Sequence, residues 1–180
     1  GFFSDLFCGA QEVARESGFF LLAATASLPA AFDIALQLAR EKRVDGLILC
    51  DHRLAAEQAK VLEKCGIPLV VPDRLVGGPQ LHAAVYDHFR GAYNATAHMI
   101  AHGHEAIATI TGPLSSESSV ERLAGYKTAL KDHGLSFDPQ WEVEGTYGET
   151  PSVERFIAHF RNKRWPKAIV AGNDYMALGL

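Results

Sequence analysis

The feature that most constrains this chain is a rhythm: short apolar runs recur roughly every 25 residues, separated by stretches with helical spacing of their apolar positions. The runs are "FFLLAATA" (19–26), "VDGLILC" (44–50), "IPLVVPD" (67–73), "LHAAVYD" (81–87), "AIATITG" (106–112), "WEVEG" (141–145) and "KAIVAG" (167–172). Most are continuous and rich in β-branched residues instead of alternating with polar ones, as expected of strands covered on both faces. The intervening segments read as helices. One runs from Ser4 to a stop at Gly18, one from Pro29 to Lys42, one over 54–64 to Gly66, and one from Phe89 to His102 with Gly103 as its stop. Others cover Val120 to His133 and 151–163, and a last one opens after Asn173-Asp174. Alternating strands and helices predict parallel sheets flanked by helices, and a restart of the rhythm over 88–106 predicts two of them.

Composition excludes several classes. Apolar residues make up 48% and charged residues 21%, the balance of a well-cored globular protein. The longest apolar run is far too short to span a bilayer, so no membrane role is expected. A net charge of −4 and a pI near 6.1 argue against these residues binding nucleic acid, which needs clustered Lys and Arg. Cys8, Cys50 and Cys65 are widely spaced in apolar patterns and read as small core residues in a reducing compartment. No GxGxxG, GxxxxGK[ST] or GxSxG occurs, so dinucleotide, P-loop and hydrolase readings lose their usual support, and no cofactor is expected. "HMIAHGH" sets His98 and His102 on one helix face with His104 beyond, but no third and fourth ligand completes a metal site, and none is expected. The chain opens on "GFFSDLF" without Met or a leader pattern and closes in the first turns of a helix. Both ends read as cuts.

Ligands of parallel α/β sheets bind beyond the carboxyl ends of the strands. Those ends carry Asp51 to Arg53, Asp73 and Arg74, Asp87 and His88, Gly112 to Ser119, Thr146 to Thr150, and Asn173 with Asp174. The set is rich in hydrogen-bonding groups and poor in nucleophile–base pairs, which favours binding over catalysis. Ser118 and Arg122 stand four apart and face one cleft if a helix starts near Ser118. The guanidinium fork suits paired oxygens of a polyol, carboxylate or phosphate, although Glu117 or Glu121 is an alternative partner for it. Asn173 and Asp174 each suit a helix cap, and the Asn173 amide equally suits a ligand hydroxyl. Tyr147 can stack on a sugar ring or be an ordinary loop tyrosine. Phe2 and Phe3 can do the same or staple the first helix.

Six blocks carry a resemblance. "GFFSDLFCGAQEVARESGFFLL", "RVDGLILCD", "GIPLVVPDR", "GAYNATAHMIAHGHEAIATITGP", "ERLAGYKTALKDHGL" and "AGNDYMALG" resemble, in order, successive blocks of the effector domain of lactose-repressor (LacI/GalR) family regulators. The resemblance covers essentially the whole chain, with Gly1 where the family has Asn-Pro before the aromatics. Ribose-binding-type periplasmic proteins share several blocks, while "GHEAIATITGP" and "RLAGYKTAL" look more like the regulators.

The resemblance implies a periplasmic-binding-protein-like type I fold: two Rossmann-like lobes with parallel sheets, incomplete at both ends, closing on an effector. The N-terminal lobe would be residues 1–88 and the partial C-terminal lobe 89–180. Phe2, Phe3, Asp73, Ser118, Arg122, Tyr147 and Asn173 would line the cleft, with Asp174 as helix cap and support for Asn173. It further implies a cytoplasmic, homodimeric transcriptional regulator that is not an enzyme. Its effector would be a sugar or nucleobase-like metabolite. It would reach operator DNA through a helix-turn-helix head preceding Gly1, and further second-lobe strands and return crossovers would follow Leu180. The alternatives are a periplasmic sugar-binding protein of a transporter and, third, an α/β enzyme.

Overall fold

The computed structural model describes residues 2–26, 28–50, 54–73 and 81–180, with the side chains of Phe2, Leu28, Pro29 and Leu81 excepted. The first sheet holds β1 (Leu47–Ile48), β2 (Leu69–Pro72) and β3 (Leu81–Ala84) in the order β1-β2-β3. All its pairings are parallel, with Leu47 opposite Leu69 and Val71 opposite Ala83. Helices α1 (Phe2–Glu16), α2 (Leu28–Arg40) and α3 (Ala56–Glu63) accompany it. Ala35 and Leu36 of α2 and Ala59 and Leu62 of α3 bury Leu69 and Val71, giving this sheet a core on one face.

The second sheet is more deeply enclosed. It comprises β4 (Ile107–Thr111), β5 (Glu142–Glu144) and β6 (Ala168–Ala171), again all parallel, in the order β5-β4-β6. Its helices are α4 (His88–Ala101), α5 (Glu117–Asp132), α6 (Glu149–Phe160) and α7 (Asp174–Gly179). Every residue of β4 is buried, as its unalternated apolar sequence demands. One face of the sheet packs Ile107 and Val170 against Leu123, Tyr126 and Leu130 of α5, with Met99 and Ile100 of α4 beside them. The other packs Ala108, Ile110 and Val143 against Phe156 and Phe160 of α6 and Met176 of α7. Each fully buried phenylalanine contributes about 1.5–3 kcal/mol through the water it leaves. Polar groups in this core are paired: the Tyr126 hydroxyl donates to the Ile107 carbonyl (2.8 Å) and Thr109 Oγ1 to that of Val170 (3.0 Å).

Most expected elements form within a few residues of their predicted bounds, and the predicted helix stops Gly18, Gly66 and Gly103 have φ of 80°, 73° and 83°. Three differences have physical reasons. Residues 19–26 form no strand, because among the described residues no neighbouring strand offers them a hydrogen-bonding ladder, and Phe20 is left 98% exposed. Only Leu47–Ile48 of the 44–50 run pairs with β2, so the rest stays irregular. Finally, α5 starts at Glu117, not Val120, because Ser116 already has the extended backbone of a residue at a helix entry (φ −94°, ψ 128°).

The strand order locates the cleft. The chain leaves β4 through α5 on one face of the sheet and leaves β6 through α7 on the other. Between two such strands the loops diverge and open a crevice at the carboxyl edge.

Candidate functional site

Three loops meet at that crevice. The first follows β4 through Gly112 to the start of α5, the second follows β5 to Tyr147, and the third follows β6 to Asn173. The Tyr147 hydroxyl donates to Ser116 Oγ (3.1 Å) and lies 3.0 Å from Ser118 Oγ and 2.5 Å from Ser119 Oγ. All three serines are buried, and Tyr147 is half-buried.

Two local rules are broken to build this cluster. Ser116 occupies the helix-entry position, where a serine normally bonds an exposed backbone N–H for about 1 kcal/mol. Here its hydroxyl turns to Ser118 (3.0 Å) and Tyr147 instead and caps nothing. Tyr147 itself has a φ of 64°, a left-handed conformation that costs a residue with a Cβ about 1–2 kcal/mol. Such concentrated strain is characteristic of binding sites. Gly112 makes the arrangement possible, since a Cβ there would run into the Tyr147 ring and lie 2.6 Å from Ser119 Oγ.

Asn173 ties the cluster to the last helix. Its Oδ1 accepts from the Met176 N–H (2.9 Å), and its Nδ2 donates to the Tyr147 carbonyl (2.9 Å). The cap expected of Asp174 therefore falls to Asn173, whose extended backbone (φ −157°) after Gly172 aims its side chain back over the helix end. Asp174 is instead the exposed first residue of α7, where a negative charge suits the helix dipole.

A second group approaches from the first sheet. Asp73, at the end of β2 with φ 61°, places Oδ1 2.5 Å from Nε2 of His88, the first residue of α4. Nδ1 of the same ring accepts from the Arg122 guanidinium (2.9 Å). Asp73 and Arg122 are thus joined through a residue that the sequence reading left among the strand-end positions without choosing it. Its signal in the sequence is its place at the junction of the "LHAAVYD" run and the helix that follows. Arg122 meets His88 here, where the sequence offered Glu117 or Glu121.

The two groups are electrostatically continuous. Burial pushes the Tyr147 phenol up, but its hydrogen bonds to Ser116, Ser118 and Ser119 and the Arg122 charge outweigh it and leave the phenol below the ordinary tyrosine range. The crevice thus presents hydroxyls, an aromatic ring, an amide and a guanidinium, with no nucleophile held by a base among the described residues. Among the expected site residues, Asp73, Ser118, Arg122, Tyr147 and Asn173 belong to these groups. Phe3 stands 62% exposed on α1, and the Phe2 side chain lies outside the described residues. Ser116, Ser119 and His88 are additions the structure makes. Among the described residues, no group of three or more His, Cys, Asp or Glu could hold a metal, and no helix is long and apolar enough to cross a membrane.

Parallel α/β sheets with polar strand ends gathered at a crevice define a protein of the periplasmic-binding-protein-like type I fold. The chain belongs to the family described as periplasmic binding proteins and sugar binding domain of LacI family, whose pattern matches residues 1–180. Its similar relatives are regulators. It is 35% identical over 147 residues to the HTH-type transcriptional repressor PurR of Aliivibrio fischeri, covering 79% of this chain and 43% of that protein. It is 31% identical over 180 residues to the HTH-type transcriptional regulator AscG of Escherichia coli, covering 99% of this chain and 54% of that one. In structure it is similar to a transcriptional regulator CelR–cellobiose complex, with a TM-score of 0.83 and 28% identity over 99% of this chain and 55% of that chain. The chain spans about half the length of the curated relatives it matches. The part of those regulators that it matches is their effector domain.

Proposed function

We propose that the crevice at the carboxyl ends of β4, β5 and β6 binds the effector of a cytoplasmic, homodimeric repressor, and that Asp73, Ser118, Arg122, Tyr147 and Asn173 form its polar wall. Phe3 and Phe2 join them from α1 when the lobes close. The lobes divide at His88, as 1–88 and 89–180. The carrying observation is the Tyr147 hydroxyl held among three buried serines beside Arg122, an arrangement for which helix α5 gives up its cap. Clustered hydroxyls, a ring and a guanidinium suit a sugar, and the cellobiose complex of a structural relative supports that class over a nucleobase-like metabolite.

The protein acts on operator DNA through a helix-turn-helix head. An effector that bridges the lobes favours the closed arrangement only by binding it better than the open one. A coupling of about 1–3 kcal/mol changes operator affinity roughly 5–150-fold, which is the range a repressor uses. Full-length protein with Arg122→Ala should bind operator DNA normally in a fluorescence-anisotropy assay but no longer respond to its effector. A normal response in that variant removes Arg122 from the site.

A further inference from the structure

His88 is the most instructive residue the sequence reading passed over. Its side chain is 10% exposed and stands between Asp73 (23% exposed) and Arg122, touching both. A guanidinium has N–H donors and no acceptor, so the Nδ1 facing it must offer a lone pair. In a neutral imidazole the single proton then sits on Nε2, the atom that faces the Asp73 carboxylate. Donation therefore runs in one direction, from Arg122 to His88 to Asp73. The guanidinium spends one of its N–H groups on this contact and keeps the rest of its fork for a ligand.

Position makes the contact more than local packing. Asp73 ends β2 of the first sheet, Arg122 lies on α5 over the second, and His88 opens α4, the helix that follows the first sheet in the chain. Arg122 also acts on Tyr147 through its charge, so whatever fixes Arg122 conditions the serine–tyrosine cluster.

We propose that His88 is a positioning residue for effector recognition: through Nδ1 it holds Arg122 in the crevice, and Asp73 fixes the ring that does so. This rests on the effector-site reading above, and the test separates the two. In the full-length protein without effector, imidazole 15N shifts should show His88 protonated on Nε2 and bare on Nδ1. The Arg122 Nε–H should give the heteronuclear NOE of an ordered group. Protonation on Nδ1 overturns the proposal, and this reading needs no substitution.

Two variants then split the ring. Asn places its amide oxygen near the Nδ1 position, whereas Gln carries its N–H toward the Nε2 position. Arg122 should stay ordered in His88→Asn and become mobile in His88→Gln. Equal order in both overturns the proposal. Calorimetric titration with a panel of mono- and disaccharides including cellobiose supplies the binding arm. His88→Gln should weaken the best sugar about tenfold and His88→Asn much less, the scale of ordering one long side chain. Equal affinities in wild type and His88→Gln overturn the positioning role. If no sugar binds wild-type protein while the NMR pattern holds, the sugar reading fails and the anchoring of Arg122 by His88 stands.

Discussion

At the scale of single residues, the site depends on side chains that forgo what local chemistry would offer them. Ser116 leaves its helix uncapped, Tyr147 tolerates a left-handed backbone, and Gly112 stays bare so that the Tyr147 ring can lie against the main chain. The Tyr147 phenol carries the electrostatic signature of that commitment. In an alkaline titration followed by phenolate absorbance, Tyr147 should ionise ahead of Tyr93 and Tyr126, whose phenols are pushed up. Tyr147→Phe should remove that early step, and Ser119→Ala should move it back toward the ordinary range. The sign of the stability linkage follows from the lowered value. Ionised Tyr147 favours the folded state fully only above the unfolded tyrosine value of about 10, and this gain fades as pH falls through the folded value. At neutral pH the linkage contributes nothing, so a loss of stability in Tyr147→Phe there reports its hydrogen bonds alone. Tyr126 behaves oppositely: burial, then Glu142 and Asp138, hold its phenol far up. Its protonated form supports the fold below about pH 10 and turns into a liability above it.

At the scale of elements, α4 and α5 pack on each other more extensively than any other pair among the described residues. Gly125 permits this, since a Cβ on it would strike the Phe89 carbonyl oxygen and come within 3.0 Å of the Tyr93 nitrogen, backbone atoms that cannot swing aside. Gly125→Ala should therefore push the helices apart and destabilise the protein by about 2–3 kcal/mol, read as a lower denaturant midpoint. The same variant should disturb His88 and Arg122, which lie on these two helices. This level is where the sequence was most legible. Periodicity and glycine stops located the helices, and unalternated β-branched runs located β2, β4 and β6, because both signals are written into the residues themselves. Residues 19–26 misled for the complementary reason. A strand is a relation between two segments, and an apolar run carries no information about whether a neighbour is present. The Asp174 cap misled similarly, since two adjacent residues with equal capping chemistry are told apart only by backbone direction.

At the scale of the whole molecule, the strand-end rule marked out the residues of the crevice without their connections. That Asp73 and Arg122 share an imidazole depends on how the two sheets are set against each other, and no spacing within the chain records it. The sheets also differ in enclosure. β4 is buried along its length between two cores, whereas residues 82–84 of β3 are exposed. Native-state hydrogen exchange on the 180-residue chain should find the slowest amides in β4 and fast ones at the outer edge of β3. Similar protection in both would mean that the sheets open together. The run from Phe19, which pairs with no strand among the described residues, has a consequence for handling the protein. "FFLLAATA" is uncharged, free of proline and open to solvent, with Phe20 almost wholly exposed. Segments of that kind pair with copies of themselves on neighbouring molecules. The colloidal behaviour of this span, handled as a separate chain, is set there: concentration and shelf life in solution depend on keeping eight residues away from their counterparts.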